Sequence, residues 1–197
     1  MKRSTIIILA VLGILAVWSI SAYNGLISSD EEVNRTWGNV QNAYQRRQDL
    51  IGQLIPVVQE AAIYEKSTLE AVVNARARAT QMTLDADDLT PEKMQQYQQA
   101  QNTLSGALRS LLAVSENYPQ LKATEQFAKL QNSIEETENR INKERGVFNG
   151  AVKDYNVKVR RFPTVLIAGM MGYEKKPMFE ADAGSEKAPD VREQFKK

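Results

Sequence analysis

Seventeen consecutive residues without a charge, Ile6 to Ala22, constrain this chain more than any other feature. Coiled into a helix they span about 26 Å, close to the roughly 30 Å hydrocarbon core of a bilayer. Within the run only Ser19 and Ser21 carry hydroxyls, which can bond back to their own helix. Ile6 and Leu15 typify its side chains, and Trp18 and Tyr23 stand toward the far end, where aromatic rings favour the interface. Lys2 and Arg3 flank one side, and Asp30, Glu31 and Glu32 are the first charges on the other. Positive residues stay inside, so the N-terminus is expected in the cytoplasm and everything from residue 24 onward outside it. A cleaved signal peptide is the competing reading. Its apolar region runs about 7–15 residues, shorter than this one. The best cleavage candidate, Ser19-Ile20-Ser21, is also poor, so an uncleaved anchor is expected.

Composition narrows the chemistry. The 197 residues include neither His nor Cys, which removes imidazole bases, thiol nucleophiles, disulfides and His- or Cys-ligated zinc. Lys+Arg number 25 against 24 Asp+Glu, and two of the basic residues precede the apolar run. The remainder is near neutral, which gives no electrostatic footprint for nucleic acid. No Gly-rich phosphate loop is present, and Ser67 beside Lys66 points away from it on a helix. An enzyme is not expected, nor a cofactor or a metal.

Three long helical patterns follow. Ser29 with Glu32 three residues on reads as a capping box opening the first. Its seam steps through Val33, Trp37, Val40, Tyr44, Arg47, Ile51, Leu54 and Val58, then Ala61, Glu65, Thr68, Val72, Ala75 and Ala79. Pro56 stands four residues after Gly52, which predicts a kink rather than a stop. Thr90 and Pro91 read as the cap and first residue of the second, with Met94, Tyr97, Gln101, Leu104, Leu108 and Leu111 inward. In the third, Phe127, Ile134, Ile141, Phe148, Tyr155 and Phe162 recur every seven residues, with Leu130, Thr137 and Ala151 between, and Phe162-Pro163 ends it. Heptads alone suit a free coiled coil, but the short linkers favour an up-and-down bundle. The fold class is all-α. The expected boundaries are a cytoplasmic start at 1–4, an anchor at 5–23, a bundle at 24–163, an apolar extension at 164–179 and a flexible tail at 180–197.

Several constellations carry bland and sharp readings. Asp85, Asp87 and Asp88 suggest calcium, but an EF-hand loop from Asp85 would need Gly and Glu where Thr90 and Gln96 stand; a solvated turn is expected. Arg47, Glu65, Glu144 and Lys158 lie on seams and should be paired if they point inward, with Arg47 meeting a carboxylate of the third pattern. Gly146 and Gly150 suggest close helix approach or a bend. Met94 to Leu108 holds no charge, and its outward Gln95, Gln99, Asn102 and Gly106 form a candidate face for self-association or a partner. Lys158, Arg160 and Arg161 beside the apolar 164–171 run suit a bilayer surface, provided the preceding helix ends near the membrane. The alternative is that this run packs back on the bundle.

Two clusters stand out in order along the chain. One holds Tyr23-Asn24-Gly25-Leu26, Glu31-Glu32-Val33, Trp37, Arg46-Arg47-Gln48-Asp49-Leu50-Ile51, Glu65, Leu69 and Ala75-Arg76. The other holds Tyr118-Pro119, Leu121, Phe127, Leu130-Gln131, Glu138-Asn139-Arg140-Ile141, Phe148-Asn149, Tyr155-Asn156 and Phe162-Pro163. With these residues the chain resembles the LemA family. Where the family continues Pro-Asn-Leu after Ile51, this chain has Gly52-Gln53-Leu54, which moves the kink to Pro56. The resemblance implies one N-terminal membrane helix and a bromodomain-like four-helix bundle outside the cytoplasm, with no agreed enzymatic activity. The fourth helix would come from splitting a pattern at Gly52–Pro56 or at Gly146–Gly150. The expected address is the bacterial inner (cytoplasmic) membrane, single-pass, with the bundle periplasmic. The expected role is an envelope scaffold or assembly subunit working through protein contacts, as a homo-oligomer or with other envelope proteins. The alternative is a regulatory or sensor module for an envelope protease or other membrane partner.

Overall fold

The computed structural model describes residues 3–60 and 66–181. Its helices are α1 (Arg3–Glu60), α2 (Lys66–Gln81), α3 (Pro91–Ser115), the single turn α4 (Pro119–Lys122), α5 (Glu125–Arg160) and α6 (Thr164–Met170), with a 3-10 turn at Ala86–Asp88. No strand occurs among the described residues. The class is all-α, as the periodicities imply.

α1 runs without interruption from the apolar segment into the bundle, 58 residues or about 87 Å. This overturns the capping box. Ser29 is a mid-helix residue whose Oγ donates back to the Gly25 carbonyl at 3.0 Å, and Glu32 pairs with Arg35 at 2.6 Å. No proline stands between Tyr23 and Val33, and Gly25 alone costs only about 1 kcal/mol, so the helix runs on. α1 also continues through Gly52 and Pro56 to Glu60. Gly52 instead makes room for a neighbour: a Cβ there would lie 3.1 Å from the Arg76 guanidinium, whose Nε donates to the Gln48 carbonyl at 3.1 Å. The first pattern is divided between Glu60 and Lys66, at neither expected place. Ala61 and Glu65 fall outside the described residues.

Among the described residues, the four helices α1, α2, α3 and α5 alternate in direction. Along α1 and α5, Lys158 meets Ser29 and Glu138 meets Arg47; along α1 and α2, Arg76 meets Gln48. The even count brings the C-terminal end of α5 back to the anchor side. The seams are buried as expected, from Val33 to Val58, Val72 to Ala79, Met94 to Leu111 and Phe127 to Tyr155. Two seam positions of the third pattern depart: Ala151 is half-buried, with Val152 buried beside it, and Phe162 is 76% exposed. α5 stops at Arg160 and Arg161 is extended, as the chain approaches a proline that disfavours helix before it.

The core has two parts. The distal cluster joins Ile51, Leu54, Val72, Leu104, Leu108, Phe127 and Ile134. The proximal cluster, nearer the anchor, joins Leu26, Trp37, Tyr97, Phe148, Tyr155, Ala168 and Phe179. α2 is only 16 residues long and contributes to the distal cluster. Its place beside the proximal one is taken by the 82–90 connection and by the segment after α6. Trp37 Nε1 and Gln41 Nε2 both donate to the Leu84 carbonyl, at 2.9 and 3.0 Å, pinning that connection. Thr90 caps α3 as expected, its Oγ1 accepting from the Lys93 N–H at 3.3 Å, and Asp88 pairs with Lys93.

Candidate functional site

Between the two clusters lies a polar layer centred on Arg47, 1% exposed. Its Nη1 donates to Glu138 Oε1 at 2.7 Å and to Ser105 Oγ at 2.6 Å, and its Nη2 to Gln101 Oε1 at 2.5 Å. The guanidinium also lies 5.1 Å from the Tyr44 ring centre. The carboxylate expected from the third pattern is therefore present, and it is Glu138. Glu144 lies elsewhere, half-buried and close enough to Arg35 to raise its pKa after the larger effect of Glu32. Lys158 reaches Ser29 and the Gly25 carbonyl of α1. Such a node holds three helices in one register, because sliding any of them leaves a buried charge unpaired.

The segment after α6 was not anticipated. Gly172, at φ 76°, turns the chain out of α6, and residues 173–181 cross the bundle as an extended strap. Asn156 Nδ2 donates to the Lys176 carbonyl at 2.8 Å, and its Oδ1 accepts the Lys176 N–H at 2.9 Å. Asn149 repeats this one heptad earlier with Phe179, at 2.9 and 2.8 Å. Gln98 on α3 does the same with Glu180, at 2.7 and 3.2 Å. Glu180, assigned to the tail, is thus held. Three side-chain amides replace the ladder of a neighbouring strand. Phe179 stacks on Trp37 with ring centres 5.9 Å apart and meets Phe148 edge-on at 5.5 Å. Lys176 forms an ion pair with Asp30 at 2.6 Å, well covered on both sides. The sequence signal was the Asn following Phe148 and Tyr155 at seven-residue spacing, whose partners are backbone atoms far along the chain. Burial raises Tyr155, aided by Asp30, Tyr173 and Glu174, up to about 12.

The other sequence candidates fall as follows. Lys2 lies outside the described residues. Arg3 begins α1, Ile6 and Leu15 are exposed along it, Trp18 is half-buried and Tyr23 exposed. Gln95, Gln99 and Gly106 are exposed on one side of α3 and Asn102 is half-buried beside them. Gln99 borders a groove of about 430 Å³ between α2 and α3, with Arg78, Gln81 and Thr103. Arg160 and Arg161 are exposed. Gly146 and Gly150 allow no close approach: a Cβ at either would meet nothing within 4 Å, and α5 is unbroken. The proposed tail from 182 onward lies outside the described residues.

The apolar part of α1 is long enough to cross a membrane and none of its most apolar window is buried in the protein. The chain is similar to Magnetosome protein MamQ 2 of Paramagnetospirillum magneticum, 22% identical over 90% of this chain and 74% of that one. It is also similar to Magnetosome protein MamQ of Magnetospirillum gryphiswaldense, 23% identical over 82% of this chain and 66% of that one. The sequence profile of the LemA family matches residues 36–193, a range holding the Arg47 node and both strap asparagines. This membrane-associated helical protein belongs to the LemA family.

Proposed function

We propose that the protein is a membrane-anchored extracytoplasmic scaffold or assembly subunit of the bacterial envelope, in the inner membrane with its N-terminus in the cytoplasm. The continuity of α1 carries this reading. A helix that leaves the apolar segment and becomes the first helix of the bundle, without a hinge, makes the bundle's orientation follow that of the anchor. A flexible linker would suit a module that searches for ligand; a stiff one suits a part that presents a fixed face. That face is the uncharged side of α3 with Gln95, Gln99, Asn102 and Gly106, and confinement to two dimensions raises its effective concentration toward a second copy. The similarity to magnetosome proteins fits a role in organising membrane-bound structures.

The test uses the absence of native cysteine. A Gln99→Cys chain in native membranes should give a dimer on treatment with a short bis-maleimide, and a cysteine at exposed Lys129 on α5 should not. No adduct from Gln99→Cys at any expression level would defeat self-association through α3. The regulatory or sensor reading is favoured by the groove that Gln99 borders. Adducts of Gln99→Cys with one other membrane protein, rather than with itself, would select it.

A further inference from the structure

The end of α5 and the whole of α6 lie beside the exit of the anchor. α6 packs on α1, its Ala168 sharing a cluster with Leu26, and Lys158 holds the Gly25 carbonyl. From Ala22, where the apolar run ends, to Leu26 is about 6 Å along the helix axis. That distance is within the headgroup region, about 5–8 Å thick, that flanks the hydrocarbon core on each side. α6 therefore stands at the height of the headgroups if α1 crosses the bilayer.

Its two sides differ. Ala168, 1% exposed, and half-buried Ile167 face the bundle. Leu166 and Met170, one helical turn apart, are 60 and 84% exposed, Met171 at its end is 57% exposed, and Phe162 in the turn that precedes α6 is 76% exposed. Exposed apolar side chains this close together mark an interaction surface, and this one belongs to a helix packed on α1 just past its apolar segment. Exposed Arg160 and Arg161 precede it, with Glu174 and Lys175 following. Arginine can pair with lipid phosphate while its neighbours enter the acyl boundary.

We propose that Phe162, Leu166 and Met170 seat in the outer surface of the bilayer that α1 crosses, with Arg160 and Arg161 on its phosphates. The inference rests on the anchored reading above and adds a second attachment. One helix fixes the bundle's place in the plane but leaves its tilt free; a patch to the side of it restrains that tilt. The face presented by α3 then has one orientation to the membrane.

Four single-cysteine chains, Leu166→Cys, Met170→Cys, Gly106→Cys and Leu12→Cys, each carry a fluorophore. They are placed at one copy per nanodisc of phosphatidylcholine and phosphatidylglycerol, so that no second copy can cover the patch. Lipids bearing a nitroxide near the headgroup should quench the labels at 166 and 170 at least about threefold more than the label at 106, as expected for residues in the interface. A nitroxide deep in the acyl chain should quench the label at 12. Labels at 166 and 170 no more quenched than that at 106, with position 12 quenched, would overturn the seating and leave the anchor standing. An unquenched label at 12 would remove the anchor and the seating with it.

Discussion

Arg47 occupies the most demanding position in the bundle, a permanent cation with 1% exposure and partners on two other helices. Arg47→Ala strands the Glu138 carboxylate and opens a cavity, and is expected to cost about 2–5 kcal/mol. Replacing Arg47, Gln101, Ser105 and Glu138 together by Met, Leu, Ala and Leu removes the polar layer as a unit and should recover most of that loss. Thermal unfolding of the full chain in detergent, followed by circular dichroism, compares the two. Tyr97 and Tyr155 make a second prediction at this scale. Burial raises both hydroxyls, with Tyr44 adding to Tyr97. Their folded pKa values exceed the ordinary value of 10.0, so the folded state holds its protons longer. The stability linked to them is fully present below about pH 10 and is lost as pH rises, through about 12 for Tyr155. A Tyr97→Phe, Tyr155→Phe chain should lose less stability than the native chain between pH 8 and pH 11.

The strap and α5 make the sharpest predictions among elements. Asn149→Ala and Asn156→Ala each remove two hydrogen bonds to the strap and should cost about 1–3 kcal/mol. Hydrogen exchange locates the effect, since the Phe179 and Lys176 amides respectively should lose protection while α2 and α4 keep theirs. Gly146 and Gly150 lie inside the continuous α5 with nothing facing their missing Cβ. Gly146→Ala and Gly150→Ala should each stabilise by about 0.5–1 kcal/mol, read as a higher unfolding midpoint. A glycine pair in sequence does not distinguish a close contact from open space, because both look alike until the neighbouring helix is placed. The seams behaved differently: Trp37, Leu104 and Phe148 were identified as core from spacing alone, since their burial follows from a helix's own period. Phe162 shows the limit of that argument. Periodicity extends only as far as the helix, and with the proline at 163 the helix ends two residues before Phe162.

For the whole molecule, stiffness at the anchor exit is the property on which the proposed function depends. Spin labels at Leu12 and at exposed Arg35 should lie about 35 Å apart along a continuous helix and give one narrow distance distribution. Asn24→Pro, whose ring would clash with the Ile20 carbonyl, should shorten and broaden that distribution while the bundle's unfolding midpoint changes little. An equally broad distribution in the native chain would remove the stiff anchor.

The amino-acid order by itself determined the apolar segment, the all-helical class, the faces of the helices, the Thr90 cap and the need of Arg47 for a carboxylate. Each of these is a matter of spacing along a helix or of the cost of an unpaired charge. Only the tertiary structure decided that the first pattern divides after Glu60, that Glu138 is the carboxylate, and that α5 returns to the anchor side. It alone laid residues 173–181 over the half of the core that α2 leaves open. Those outcomes depend on contacts between residues far apart in the chain, such as Asn156 with the backbone of Lys176, and local periodicity carries no record of which distant backbone a side chain will meet.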